Sequence, residues 1–426
     1  MDLTNIIFVL FIVLSLNNIV HYGLYLIGAN IYDIRALRAT NRKPKRAHRQ
    51  AALVSVLIPA HNEEAGIERC LHSVITNTYR KMQVIVIDDA SSDTTARLVR
   101  NFIANHPGKN ISLIHKRKNV GKAHALNYAL RRHTQGDLIM TLDADSVLSK
   151  HAIKNAVAYF ADKEVVGVAA NVRIMEQMSA LGMLQKFEHL IGYRSKKFYS
   201  IANAEFVVGG VASTYRRDTI KQAGYYSTET ATEDIGLSLK IVAQGNKHRR
   251  IVYGANVVAH TEGVQSFMQL IAQRYRWKLG SLQNIIQHHH IMFSRRDDIS
   301  PALKYYRLPM AFISELLLII EPIIFGTVVV AALRLNSFGL FIGAYITITG
   351  LVLATVWPDE HYSTKRKVIQ TAQAPLVYFL FHIMNQVQIV SIIRCLWHPS
   401  KLLANDPSGS VWKSPTRIGN NALSPR

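Results

Sequence analysis

The chain has 426 residues, 49% of them hydrophobic and 18% charged, with 50 Lys and Arg against 28 Asp and Glu for a formal charge of +22. That length admits one sizeable catalytic domain with additional elements and excludes several large domains. High apolar content beside so many basic residues suits a membrane protein with basic segments on one side. With no helix-turn-helix, zinc-finger or strand-stacking signature, nucleic acid is not the expected partner.

Residues 6–31 are mostly apolar, interrupted by Asn17, Asn18 and His21. The run is too long for a signal-peptide core and lacks a small-residue cleavage site, so residues 1–33 are expected to hold a transmembrane helix. Its polar side chains should face protein rather than lipid. Arg35, Arg38, Arg42, Lys43, Lys45, Arg46 and Arg49 follow in a basic juxtamembrane linker, residues 34–52. Basic residues this close to a span favour the cytoplasmic side. The two cysteines, Cys70 and Cys395, form no disulfide framework, which fits a reducing cytosolic face.

From residue 53 to 262 short apolar runs alternate with amphipathic stretches. Residues 53–58, 84–87, 111–114 and 138–142 predict buried strands, and 65–75, 94–105 and 123–132 predict the helices between them. This alternation predicts an α/β domain with a Rossmann-like, mainly parallel sheet covered on both faces. Ligands of such sheets bind beyond the C-terminal strand ends. Residues 263–307 are expected to form interfacial amphipathic helices, with an ordinary surface helix as the alternative for 264–287.

Three apolar runs, 308–333, 338–357 and 374–396, are each long enough to span a bilayer. Glu315 and Glu321 should face the bundle interior, and with Asn385 they are candidates to line a conduit. Four spans would leave the tail, residues 397–426, outside. Its basic residues Lys401, Lys413, Arg417 and Arg426 argue against that, so one span is re-entrant or another is unrecognised.

Four acidic or aromatic-basic motifs carry chemistry. Asp88-Asp89 ends a strand, where a carboxylate can hydrogen-bond a nucleotide base or ribose; Asp93 nearby could simply cap the next helix. Asp143-Ala144-Asp145 ends another strand and offers hard oxygen ligands for Mg²⁺ or Mn²⁺ on a diphosphate. Thr232-Glu233-Asp234 opens a helix. Its acids either suit the helix dipole, with Thr232 as cap, or make Asp234 a general base. Gln273-Arg274-Tyr275-Arg276-Trp277 could serve sugar and phosphate, or only a membrane interface.

In this order the motifs resemble the processive membrane glycosyltransferases of family 2, which hold cellulose, chitin, hyaluronan and poly-N-acetylglucosamine synthases. The stretches Val54-Ser55-Val56-Leu57-Ile58-Pro59-Ala60-His61-Asn62-Glu63 and Asn119-Val120-Gly121-Lys122-Ala123 are also similar to that family. The resemblance implies a GT-A fold over residues 53–262, with Asp88, Asp89, Lys122, Asp143 and Arg276 at the donor. Asp143 and Asp145 would hold the metal, and Asp234 with Glu233 would be catalytic. Gly209, Gly210, Gln273 and Trp277 would meet the acceptor, the glycine loop departing from the family's commoner Ser-Gly or Cys-Gly forms.

The resemblance further implies an inverting transfer from a UDP-sugar to a growing β-linked polysaccharide at the plasma membrane, with the catalytic domain cytoplasmic. UDP-N-acetylglucosamine is the favoured donor, because the loop around Asn119 and the Thr232–Ile235 segment look most like poly-N-acetylglucosamine synthases. Chitin-oligosaccharide or hyaluronan synthesis is the alternative, as is non-processive transfer to a polyprenyl phosphate. Beyond the lipid bilayer, a small membrane partner subunit is left open.

Overall fold

Strand β1 (Val54–Ala60) is buried along its whole length, and so is β2 (Met82–Asp88) after its first residue. Successive side chains on a strand point to opposite faces. Leu57, Ile85 and Ile87 accordingly enter one apolar core, and Val54, Val56, Ile58, Val84 and Val86 enter another across the sheet. Each such side chain contributes about 1.5–3 kcal/mol on full burial. The continuous apolar runs follow from this two-sided burial, with helices covering both faces.

The computed structural model describes residues 3–41, 52–175, 179–334, 336 and 338–403. Arg42, Lys43, Lys45, Arg46, Arg49, Lys413, Arg417 and Arg426 lie outside the described residues. After β1 come α2 (Ile67–Ile75), β2, α3 (Thr95–Asn105), β3 (Ile111–His115), α4 (Lys122–Arg132) and β4 (Leu138–Thr141). The four strands and three helices expected from periodicity therefore exist within a few residues of their predicted bounds.

The second half adds β5 (Val147–Leu148), α5 (Ala152–Tyr159), β6 (Val165–Ile174), α6 (Ala180–Ile201), β7 (Ser213–Arg216), α7 (Arg217–Gln222), α8 (Glu233–Ala243) and β8 (Arg250–Thr261). The sheet order is β3-β2-β1-β4-β7-β6-β8-β5. β1 pairs parallel with β2 and β4, β2 with β3, and β6 with β8. The short β7 runs antiparallel between β4 and β6, and β5 runs antiparallel to β8. The parallel half has β2 and β4 on opposite sides of β1, which creates a topological switch point at its C-terminal end.

Outside the sheet, α1 (Leu3–Asn41) packs on α6, and α9 (Phe267–Gln287) lies between α8 and α12 (Thr364–Leu396). α10 (Leu308–Arg334), α11 (Gly339–Val356) and α13 (Pro399–Leu403) complete the order. Among the described residues two helices are long and apolar enough to cross a membrane, Ala302–Arg334 and Thr364–Leu396, and a shorter apolar one runs over Phe341–Val356. α12 begins ten residues before the predicted run because Ser363 caps it, accepting from the Arg366 N–H. His21 on α1 hydrogen-bonds the Tyr306 hydroxyl at 2.7 Å and so faces protein. Glu315 pairs with Lys278 of α9 at 2.6 Å, and Glu321 accepts from the Asn385 amide at 2.9 Å.

Candidate active site

The switch point is framed by two interlocked turns. Asn62 after β1 and Ala90 after β2 both have positive φ, 55° and 59°. For alanine that conformation costs roughly 1–2 kcal/mol. Cross-links offset it: Asn62 Oδ1 accepts from Ser92 N at 2.8 Å, and Asn62 N donates to Ser91 Oγ at 2.9 Å.

Asp88 and Asp89 lie beneath these turns and are completely buried. Asp88 accepts from His115 Nδ1 at 2.6 Å, from Ser91 N at 3.1 Å and from the Ser91 hydroxyl. Asp89 accepts from Val120 N and, at 2.8 Å, from Gly121 N. Burial pushes the Asp89 carboxyl up, and those two N–H groups oppose the rise. Both carboxylates spend their oxygens on protein donors and hold the loops that would form a base pocket. The motif's strand-end position was legible, but His115 and the loop amides that occupy it are brought close only by folding. Asp93 accepts from Thr95 N at 2.9 Å and from Glu64 N at 3.1 Å, while the cap position of α3 is held by Thr94 with no side-chain cap bond.

Asp89's grip on Val120 and Gly121 sets where α4 begins. Gly121 has φ 89°, a conformation L side chains rarely adopt. Lys122 follows at the helix start and extends to the end of β4. Its Nζ lies 2.7 Å from Asp143 Oδ1 and 3.2 Å from Glu233 Oε1. Burial alone would lower the Lys122 ammonium, but Asp143, Glu233 and Asp234 outweigh it and hold it above the usual lysine range.

Asp234, in the first turn of α8, is pushed up to about 6 by burial and then by the neighbouring Glu233. Lys122 and the N–H of Ile235, which donates to Asp234 Oδ1 at 2.8 Å, limit that rise. Gly210 sits against the same point. A Cβ there would fall 2.8 Å from Lys122 Nζ, 3.6 Å from Asp143 Oδ1 and 3.8 Å from Asp234 Oδ2. A Cβ on Gly209 would meet nothing within 4 Å, so only one of the paired glycines is required by close approach. The loop is fixed from outside. Lys196 Nζ donates to Val207 O at 3.0 Å, the buried Glu205 accepts from Val207 N at 2.8 Å, and Ser213 Oγ donates to Gly209 O.

Asp145 is 4% exposed and accepts from Ser146 Oγ at 2.8 Å and from Thr261 Oγ1 at 3.4 Å. The start of α2 packs close against this turn, since a Cβ on Gly66 would lie 3.1 Å from both Ala144 O and Asp145 Cα. Among the described residues no group of three or more His, Cys, Asp or Glu could hold a metal. Two hard carboxylates completed by phosphate oxygens are nevertheless a donor set that suits Mg²⁺ or Mn²⁺. The Lys122 ammonium, seated on Asp143, shows that the turn receives positive charge. The residues therefore fit such an ion once a diphosphate is present.

The aromatic-basic motif is joined to this centre through α9. Gly280 approaches Thr232 so closely that a Cβ would lie 2.3 Å from its hydroxyl oxygen. Asn284 Nδ2 donates to Thr232 O and Oγ1, both at 3.1 Å, and Gln283 Oε1 accepts from Ala231 N at 2.9 Å. Thr232 makes no side-chain cap, which replaces the capping expectation. Gln273, Trp277, Gly280 and Asn284 recur at i, i+4, i+7 and i+11, hence on one face of the helix. Gln273 lies about 10 Å along the axis from Gly280.

Trp277 is 37% exposed and has the Arg274 guanidinium 4.1 Å from its ring centroid, and buried Arg274 pairs with Glu188 of α6. Arg276 is exposed. Lys122, Asp143, Glu233, Asp234 and Gly210 are thus brought together, whereas Gln273, Arg276 and Trp277 reach them only through the packing of α9. The i+7 spacing from Gln273 to Gly280 was the one available sign of that link.

Residues 55–224 match the model of glycosyl transferase family 2. The chain is 27% identical over 387 residues to a poly-beta-1,6-N-acetyl-D-glucosamine synthase of Staphylococcus epidermidis, covering 88% of this chain and 87% of that one. It is 30% identical over 274 residues to the synthase of the same name from Staphylococcus aureus, covering 63% and 65%. Among solved structures it is similar in fold, with a TM-score of 0.57 and 22% identity, to a mannosyltransferase from Pyrobaculum calidifontis in complex with GDP-Man and Mn²⁺, over 89% of this chain and 97% of that one.

Proposed function

Residues 55–224 form a glycosyl transferase family 2 domain, and from that premise we propose that the chain is a membrane-anchored, inverting and processive enzyme. In this reading it transfers N-acetylglucosamine from UDP-N-acetylglucosamine to a growing β-linked polysaccharide. The observation that carries the proposal is the Lys122 ammonium between Asp143 and Glu233, with Asp234 and Gly210 against it. A donor-side carboxylate and a candidate base meet at one point, with only a glycine between them and an incoming chain.

Lys122 and exposed Arg276 bind the diphosphate, and the loops held by Asp88 and Asp89 frame the nucleoside. Asp143 and Asp145 would hold Mg²⁺ or Mn²⁺, which supplies Lewis-acid neutralisation of the departing diphosphate. Asp234 accepts the proton of the acceptor hydroxyl as the oxygen attacks the anomeric carbon. Its ordinary carboxylate basicity is raised by burial and by Glu233, so it is a better base yet still ionised at neutral pH. A single displacement with one base and no covalent nucleophile inverts the anomeric centre and yields a β-linkage from an α-linked donor.

Trp277, on the α9 face that also grips Thr232, packs under the terminal acceptor sugar. Bilayer anchoring is supported by the apolar helices Ala302–Arg334 and Thr364–Leu396, and the choice of sugar by the names of the staphylococcal relatives. Replacing Lys122 with Met tests the centre. UDP release from UDP-N-acetylglucosamine by the purified variant should fall by at least a hundredfold. Release at the wild-type rate would remove Lys122, and with it the proposed convergence, from the reaction.

A further inference from the structure

A second cavity shares no lining residue with the carboxylate centre. It has a volume of about 210 Å³ and is enclosed by the end of α1, α6, the middle of β6 and β8, and the turn between α11 and α12. The α6 positions that line it, 190, 193, 194 and 197, lie opposite the face that carries Glu188 to Arg274, since residues 188 and 190 are about 200° apart around a helix. The cavity is therefore separate from the groove that α9 borders.

Four buried side chains that line it each carry a polar atom without a hydrogen-bond partner among the described residues: Asn171 Oδ1, Arg173 Nε, Tyr193 Oη and Tyr253 Oη. Their residues are 3%, 7%, 9% and 0% exposed. Buried polar groups are nearly always satisfied, so a set of four around one space points to a ligand with matching groups. The set mixes a donor, an acceptor and two hydroxyls that can do either.

The fixed charges narrow the ligand further. Arg173, Arg194 and Lys197 are balanced by Asp33, Asp359 and Glu360 on the same wall, with Lys197 to Asp33 at 2.5 Å and Arg173 paired to Asp359. A phosphate would meet three carboxylates and could not satisfy Asn171 Oδ1, whereas a neutral polyol satisfies both kinds of group. The cavity is below the roughly 300–1,000 Å³ of drug-sized sites and too small for a nucleotide. The Tyr193 ring, backed by the nearly parallel Tyr253 ring with centroids 6.1 Å apart, supplies aromatic surface that a pyranose ring packs on.

We propose that this cavity binds one neutral sugar ring, separately from the donor and acceptor positions and independently of how those are read. The ring is either a free monosaccharide or the head of a neutral glycolipid, since exposed Leu37 and Pro358 at its rim adjoin the apolar helices. Occupancy joins α1, α6 and the α11–α12 turn.

The test is equilibrium binding to the full chain, purified in a non-glycosidic detergent. The probes are labelled N-acetylglucosamine and vesicles containing a monoglycosyl diacylglycerol. Saturable binding of either probe should persist in Trp277→Ala and weaken at least about tenfold when Tyr193 and Tyr253 are both changed to Phe. The double variant should fold normally, because it removes only unpartnered hydroxyls; an unchanged thermal midpoint verifies this. Binding of the free sugar or of the vesicles alone identifies the source. Binding of neither probe, binding unaffected by the double variant, or displacement by inorganic phosphate overturns the proposal.

Discussion

Replacing Asp234 with Asn should abolish transfer and at the same time stabilise the fold. The carboxyl is pushed up from 3.8 to about 6, equivalent to about 3 kcal/mol at neutral pH. The folded state binds this proton more tightly than the unfolded one, so between roughly pH 4 and 6 stability falls as pH rises. Above pH 6 the whole penalty is present. An amide carries no charge to desolvate and none to repel Glu233, and the attraction lost from Lys122 is already part of the balance.

Of those 3 kcal/mol, about 1–3 should be recovered, a rise of several degrees in thermal midpoint for a domain of this size. Thermal unfolding of both proteins at pH 7.5 and pH 5 measures it, and the gap should narrow at the lower pH. UDP release should fall by roughly 10²–10⁴, the contribution of a positioned general base. A variant less stable than wild type at pH 7.5, or one that still transfers, would refute the reasoning.

The two loop glycines should respond very differently. Gly210→Ala places a Cβ 2.8 Å from Lys122 Nζ, and the ammonium is held by Asp143 and Glu233, so UDP release should drop about 10–100-fold without loss of folding. Gly209→Ala should stay within about threefold of wild type; equal losses in the two variants would remove the steric argument. Gly280→Ala forces α9 away from Thr232 and should lower both transfer and thermal stability, by about 1–3 kcal/mol for overpacking. Trp277→Ala should shorten the polymer while leaving donor hydrolysis largely intact, and a polymer of unchanged length by gel filtration would remove Trp277 from the acceptor position.

The first half of the sheet was readable because β1, β2 and β4 are buried on both faces and separated by helices with regular apolar spacing, whereas β3, expected to be buried, is a half-exposed edge strand. The second half was not. β5 has two residues and β7 four, too few to show a period of two, and β7 owes its antiparallel place to its neighbours β4 and β6. In the site, spacing revealed the acids but not what they touch. Nothing local indicates that Asp88 belongs to His115, or that the Thr232 hydroxyl serves Asn284 rather than its own helix. The meeting of Lys122 with Glu233 joins positions 111 residues apart and depends on α4 and α8 beginning at one crevice.

The central claim, β-polysaccharide synthesis from a UDP-sugar, is tested most directly by product analysis. Membranes carrying the chain would be supplied with a panel of labelled UDP-sugars and Mg²⁺ or Mn²⁺, and the polymer digested with linkage-specific glycosidases. The account predicts incorporation from UDP-N-acetylglucosamine alone, lost on chelation, into a polymer cleaved by a β-1,6-N-acetylglucosaminidase. A product cleaved by chitinase or hyaluronidase would contradict the choice of polymer, and label confined to a lipid-linked monosaccharide would contradict repeated extension itself.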